Sequence, residues 1–251
     1  MPQYLELLLT YTPLTSVKRV GLVVLTTDHT TEVEFTQRVA STGVEVFTAR
    51  VAFANPTTPE NLRAMLPHIE VAAASILPGT PLDVIYYACT SGAVHIGNEK
   101  IIDAVCAAKP DTEVITPTNA AVEAFKALGI TKLALLTPYI KETSASLAPY
   151  FETEGGVQIA RHSYLGLEDD REMARLDADT LIRAAIAADS PDAEALFISC
   201  TALRAVEIAG AIEQKIGKPV VTSNQAAIWR CAQLLGLDGS GLSGNQLFDM
   251  N

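Results

Sequence analysis

Short runs of β-branched and apolar residues alternate along this chain with longer Ala-rich stretches of helical period. The runs RVGLVVLT (19–26), VEVFTARV (44–51), DVIYYA (83–88), EVITP (113–117), KLALLT (132–137), VQIARHS (157–163), ALFIS (195–199) and PVVTS (219–223) predict strands. The stretches Pro59 to Ile76, Ala93 to Ala108, Asn119 to Leu128, Glu172 to Ala188, Thr201 to Ile216 and Asn224 to Leu235 predict helices. Strands that are apolar throughout and separated by helices imply parallel sheets covered on both faces, hence an α/β fold of open, doubly wound sheets. Thr58, Pro59 and Glu60 supply a helix start: a capping hydroxyl, a proline in the first turn and an acid facing the positive end of the dipole. Pro67 is expected to kink that helix. The tail from Gly236, with Gly239, Gly241 and Gly244, reads as a flexible end or surface arm.

The pattern repeats at an offset of 111 residues. RVGLVVLTTD (19–28) lies over ITKLALLTPY (130–139), and YYACTSGAVHIG (86–97) over FISCTALRAVEI (197–208). Cys89-Thr90 then matches Cys200-Thr201, Thr26 matches Thr137 and Asp28 matches Tyr139. The expected organisation is two pseudo-symmetric halves, 17–117 and 118–218, with 219–240 able to return to the first half and 241–251 as a tail. Such halves set the carboxyl ends of equivalent strands across a common cleft, where open parallel sheets bind ligands.

Composition narrows the classes of function. With 18 Lys and Arg against 29 Asp and Glu, the formal net charge is −11. That argues against nucleic acid and anionic membranes as partners. Hydrophobic residues make up 49% of the 251 and mean hydropathy is +0.23, which suits a large buried core and excludes a disordered chain. No apolar run reaches the roughly 18 residues of a membrane helix. The start, MPQYLELLLTYTPLTS, lacks the basic region of a signal peptide, so a cytoplasmic location is expected. Cys89, Cys106, Cys200 and Cys231 form no CxxC pair, so neither a zinc site nor a disulfide framework is indicated.

Cys89 and Cys200 each follow an apolar strand and open a predicted helix, where free N–H groups and the dipole lower a thiol pKa. The same N–H groups suit a substrate carboxylate. Cys106 and Cys231 sit in helix-interior contexts and read as core. His95, six residues after Cys89, reads as an exposed or capping residue rather than a cleft residue. There is no GxGxxG after the first strand and no phosphate-binding GxxxxGK[ST] loop, and Ser91 lies in CTSGA rather than GxSxG.

The paired motifs YYACTSG and FISCTAL, with LTTDHTTEVEF, LLTPYIKE and LEDDREMARLD, resemble the aspartate/glutamate racemase superfamily. Within it they are most similar to the maleate cis-trans isomerase branch, which includes ectoine-utilisation EutA-type proteins and relatives of arylmalonate decarboxylase. The resemblance implies an isomerase that uses no cofactor and no metal, with Cys89 and Cys200 as catalytic residues on opposite faces of a small carboxylate. In a racemase-like reaction one thiolate removes the α-proton and the other thiol returns one from the opposite face. In maleate isomerisation the Cys89 thiolate adds to the double bond, permits rotation and leaves. Carried over residue by residue, Thr90, Ser91, Thr201 and Ala202 would hold the carboxylate and Tyr139 would hydrogen-bond the substrate. Arylmalonate decarboxylases work with a single such cysteine, which disfavours decarboxylation here. Homo-oligomers are common in the family and one is expected.

Two positions depart from the branch pattern, Asp28 and, within a register of one residue, Asp169, where asparagines are expected. An amide donates to a carboxylate, whereas an ionised Asp repels it and prefers an ammonium or N–H. A substrate with an amino or acylamino group, such as an ectoine breakdown product, is therefore expected. Asp28 reads equally well as a helix cap. Two alternatives stay open beside the enzyme: a small-carboxylate binding protein that does no chemistry, and a thiol redox protein, which the cleft between the cysteines disfavours.

Overall fold

The computed structural model describes residues 2, 4, 5, 7–237 and 242–250. Among them, two parallel four-stranded sheets share one strand order. The first comprises β1 (Arg19–Leu25), β2 (Glu45–Val51), β3 (Val84–Ala88) and β4 (Glu113–Ile115), ordered β2-β1-β3-β4. The second comprises β5 (Lys132–Tyr139), β6 (Gln158–Leu167), β7 (Ala195–Ile198) and β8 (Val220–Thr222), ordered β6-β5-β7-β8. The inner strands β1, β3, β5 and β7 are buried at nearly every position, as strands covered on both faces must be.

The helices are α1 (Thr31–Val39), α2 (Pro59–Arg63), α3 (Leu66–Ser75), α4 (Thr90–Ile96), α5 (Asn98–Ala108), α6 (Pro117–Ala127), α7 (Lys141–Ser144), α8 (Leu147–Thr153), α9 (Asp170–Met173), α10 (Ala178–Ala188), α11 (Ala209–Ile216) and α12 (Ser223–Leu235). Side-chain caps start several of them: Thr58 accepts from Asn61 N at 3.3 Å, Thr116 from Asn119 N at 3.3 Å, and Thr222 forms a reciprocal box with Gln225. Helix α12 follows β8 of the second sheet but packs against α1, α6, β3 and β4, tying the two sheets together. No helix among the described residues is long and apolar enough to cross a membrane.

Three expectations change. The helix over 59–76 is two helices, with the break before Pro67 rather than a kink at it, because Pro67 takes a first-turn position of α3 where its missing N–H costs nothing. The helix expected from Thr201 starts only at Ala209. Residues 201–208 instead turn toward the first sheet, with Thr201 Oγ1 donating to Ala88 O at 3.2 Å and Thr30 Oγ1 to Ala202 O at 2.7 Å. The tail is docked over 242–250: Leu242, Leu247 and Phe248 are buried, and Arg38 lies 5.6 Å over the Phe248 ring. A Cβ at Gly210 would stand 2.1 Å from Gly244 O, so this docking requires glycine there. Gly239 and Gly241 lie outside the described residues.

Side chains alternate across β3, so adjacent tyrosines enter different cores. Tyr86 joins the large cluster shared with the second sheet, and Tyr87 joins the cluster under α3 and α5 with Met65 and Cys89.

Candidate active site

The carboxyl ends of β1, β3, β5 and β7 converge on one nearly closed cavity of about 10 Å³, room for a single water. Cys89, Ser91 and Asp28 line it from the first sheet, and Tyr139, Cys200, Thr201 and Ala202 from the second. Asp170 and Thr57 complete the polar lining. None of the lining residues is basic.

Cys89 is the N-cap of α4, and its sulfur accepts the Gly92 N–H at 3.3 Å with Ser91 Oγ at 3.7 Å. These donors favour a thiolate, as a helix start should. Burial outweighs them and, with the nearby Asp170 and Asp28 carboxyls, pushes the thiol up to about 12. The expectation of a lowered resting pKa is thus corrected: in the closed site the charged form waits for a compensating partner. Cys200 is not at a helix start. Its φ of 139° lies in the left-handed region that non-glycine residues avoid, and its sulfur accepts the Ala202 N–H at 3.3 Å from a tight turn. Burial raises this thiol still further.

Asp28 lines the cavity and also caps α1. Its Oδ1 accepts the N–H groups of Thr30 (2.7 Å) and Thr31 (2.8 Å), and its Oδ2 accepts the Thr31 hydroxyl at 2.6 Å. One side chain thus both lines the cavity and satisfies the start of α1. Asp170 accepts the hydroxyls of Thr27 (2.6 Å) and Thr57 (2.8 Å). Burial, more than any neighbour, raises both carboxyls. The Tyr139 hydroxyl is buried at the end of β5, close enough to Cys200 and Ser91 for both to influence its titration, yet it has no hydrogen bond of normal geometry among the described residues. A buried donor without a partner facing a cavity is poised for a ligand.

Two expected residues stand elsewhere. Asp169 does not line the cavity. It caps α9, accepting Arg171 N at 2.8 Å and Asn55 Nδ2 at 3.0 Å, and ion-pairs with Arg171. The cavity acid is its neighbour Asp170, because the first helical residue, not the cap, turns inward. Thr90 is buried behind the cavity, its hydroxyl donating to Ser223 Oγ at 2.8 Å. His95 is half-buried beside Thr143 O at 3.4 Å, away from the cavity. Sequence reading missed Thr57, whose loop is brought in by the Thr57 N–H donating to Glu168 O at 2.7 Å. No local pattern around Thr57 announces that pairing.

A sequence profile described as arylmalonate decarboxylase matches residues 37–248. Arylmalonate decarboxylase of Bordetella bronchiseptica is 29% identical over 181 residues, covering 71% of this chain and 72% of its own. Maleate isomerase of Nocardia farcinica is 26% identical over 231 residues, covering 88% of this chain and 91% of its own. The fold matches that of a Nocardia farcinica maleate cis-trans isomerase, a cysteine-to-serine mutant with a covalently bound succinylcysteine intermediate. The TM-score is 0.84 at 22% identity, over 94% of this chain and 100% of that one. By the extent of the profile match, the chain belongs to the arylmalonate decarboxylase family, with maleate isomerases among its relatives.

Proposed function

We propose that the protein is an isomerase that works without a cofactor on a small carboxylate, with Cys89 and Cys200 as its two catalytic groups. The observation that carries this reading is the placement of both cysteines, one from each sheet, on a single cavity. Two thiols supply what isomerisation needs, one group that attacks or accepts a proton and one that donates. The cavity is too small for a substrate as it stands, so binding requires the loops around it to part.

The cavity charge favours an amino-acid-like substrate. An ammonium or N–H between Asp28 and Asp170 offsets their carboxyls, whereas a dicarboxylate would add like charge to a site with no basic lining residue. On such a substrate the Cys89 thiolate takes the α-proton while the C–H electron pair moves into the substrate carboxylate. The Cys200 thiol then gives its proton to the opposite face, leaving Cys89 as thiol and Cys200 as thiolate. Substrate-held N–H donors, Ser91 and Tyr139 would stabilise the charge that develops.

A second reading is cis-trans isomerisation, favoured by the maleate isomerase relatives. There the Cys89 sulfur adds to one alkene carbon, Cys200 protonates the other, the single bond rotates and the two steps reverse. Proton NMR in D₂O with maleate, both enantiomers of aspartate and glutamate, and N-acetylated diaminobutyrates separates the readings. Loss of an α-proton signal, absent in a Cys89→Ala/Cys200→Ala control, supports two-base proton transfer. Conversion of maleate to fumarate supports addition and rotation and removes the amino-acid-like substrate. Neither reaction with any member of the panel counts against both.

A further inference from the structure

The Tyr87 hydroxyl is fully buried and, among the described residues, has no hydrogen-bond partner. It does not line the cavity; it stands behind Cys89 in the cluster that holds Met65. A buried unpaired hydroxyl carries a desolvation cost that apolar Phe at the same place would avoid, so its presence calls for a function. Gly92 shows where it points. A Cβ at Gly92 would stand 2.5 Å from Tyr87 Oη and 3.0 Å from Cys89 Sγ. The space that a methyl group would fill is bordered by the phenol oxygen, the thiol sulfur and the Met65 methyl group. With Tyr87→Phe the phenol proton would be gone and the shape kept.

We propose that Tyr87 is a positioning residue that turns its hydroxyl onto the Cys89 sulfur from the side away from the substrate and so makes Cys89, rather than Cys200, the first of the two thiols to ionise. The inference rests on the reading of Cys89 and Cys200 as the catalytic pair.

The surroundings of the two sulfurs differ in the way this requires. The Gly92 N–H and the Ser91 hydroxyl stand at Cys89, and the Tyr87 phenol borders the same space beside Gly92 as the sulfur does. Around Cys200 stand the Ala202 N–H and the Tyr139 hydroxyl, with Met173 Sδ at 4.0 Å, which offers no proton. Other titratable groups felt by Cys89 are Asp170, from α9, and Asp28, from the turn after β1, both of which oppose its ionisation. Cys200, Tyr139 and Tyr86 also lie within its field. Burial holds the Tyr87 phenol far above its ordinary pKa, so it keeps its proton when the sulfur loses one. A third donor then offsets what burial and the carboxyls impose.

The test compares wild type with Tyr87→Phe and Tyr139→Phe. Iodoacetamide alkylation of each cysteine is followed by peptide mass spectrometry across pH 7 to 9.5, roughly the range below the thiol titration. Thiolate ultraviolet absorbance is read in parallel. Removing one hydrogen bond to a charged sulfur should raise its pKa by about one unit, so Tyr87→Phe should alkylate at Cys89 about tenfold more slowly at fixed pH. Its Cys200 rate should be unchanged, and the melting temperature should hold or rise because the lost hydroxyl is unpaired while Cys89 keeps its proton. Tyr139→Phe should leave Cys89 unchanged. An unaltered Cys89 rate in Tyr87→Phe overturns the proposal, as does equal slowing at both cysteines, which would mark a structural role. Alkylation reads thiol acidity without substrate. Failure of the catalytic reading would show instead as turnover surviving in cysteine variants, so the two failures are distinct.

Discussion

Thr90 donates its hydroxyl proton to Ser223 Oγ at 2.8 Å, joining the helix start that carries Cys89 to the start of α12. The same Ser223 oxygen accepts the Cys200 N–H at 3.0 Å. One hydroxyl thus holds both cysteine segments, and it restrains Cys200 in a backbone conformation that costs on the order of 1–3 kcal/mol. Ser223→Ala should lower stability by about 1–3 kcal/mol, since it leaves a buried N–H and hydroxyl unpaired. It should lower kcat about tenfold or more with a smaller effect on KM, because Cys200 loses its position rather than the substrate its contacts. Thermal melting and steady-state kinetics check this; an unchanged kcat would mean that Cys200 is held without Ser223.

Asp28 sets both a helix and a charge, and Asp28→Asn separates them. The Asn oxygen can still accept from the amides of Thr30 and Thr31, so α1 should keep its cap. The negative charge is gone. The ratio of kcat/KM for dicarboxylates to that for amino-bearing substrates should rise about tenfold or more, and again in Asp28→Asn/Asp170→Asn. Competition kinetics with mixed substrates measures it. No change in the ratio would leave the cavity carboxyls without a part in substrate choice.

Glu34 lies behind this turn, where it accepts Asn224 Nδ2 at 2.8 Å and the Val206 N–H at 3.2 Å. Burial lifts its carboxyl from the ordinary 4.5 to about 8. Between those values the folded state keeps a proton that the unfolded state gives up, so stability is greatest below about 4.5 for this group and is lost as pH rises through about 8. The loss is on the order of a few kcal/mol. Glu34→Gln should flatten the fall in unfolding free energy between pH 5 and 8, a window about as wide as the shift. Denaturant titrations at several pH values check the slope; an equal slope in both proteins would mean that the carboxyl stays ionised when folded.

The α/β alternation was legible because inner strands buried on two faces are apolar throughout, and the offset from Cys89 to Cys200 marked equivalent strand ends. Cys89, Ser91, Tyr139, Cys200 and Asp28 meet at one cavity for that reason. What stayed hidden depends on contacts between distant segments. Thr57 enters through a bond to Glu168 O, and the helix expected at Thr201 is displaced because residues 201–208 are drawn onto the first half. Asp169 and Asp170 are both acids in one short segment, and only the helix phase decides which faces inward. Thr90 looks like a ligand for substrate in sequence because its partner Ser223 lies 133 residues away.

The most direct measurement is turnover by Cys89→Ala, Cys200→Ala and Cys106→Ala/Cys231→Ala, each shown folded by melting, on whichever substrate the panel identifies. Cys89→Ala and Cys200→Ala should each lose about 10³-fold or more in kcat, while Cys106→Ala/Cys231→Ala should stay within about threefold of wild type. Full isomerase activity in either single variant would contradict a two-cysteine mechanism, and decarboxylation by Cys89→Ala that depends on Cys200 would place the chemistry with the single-cysteine decarboxylases instead.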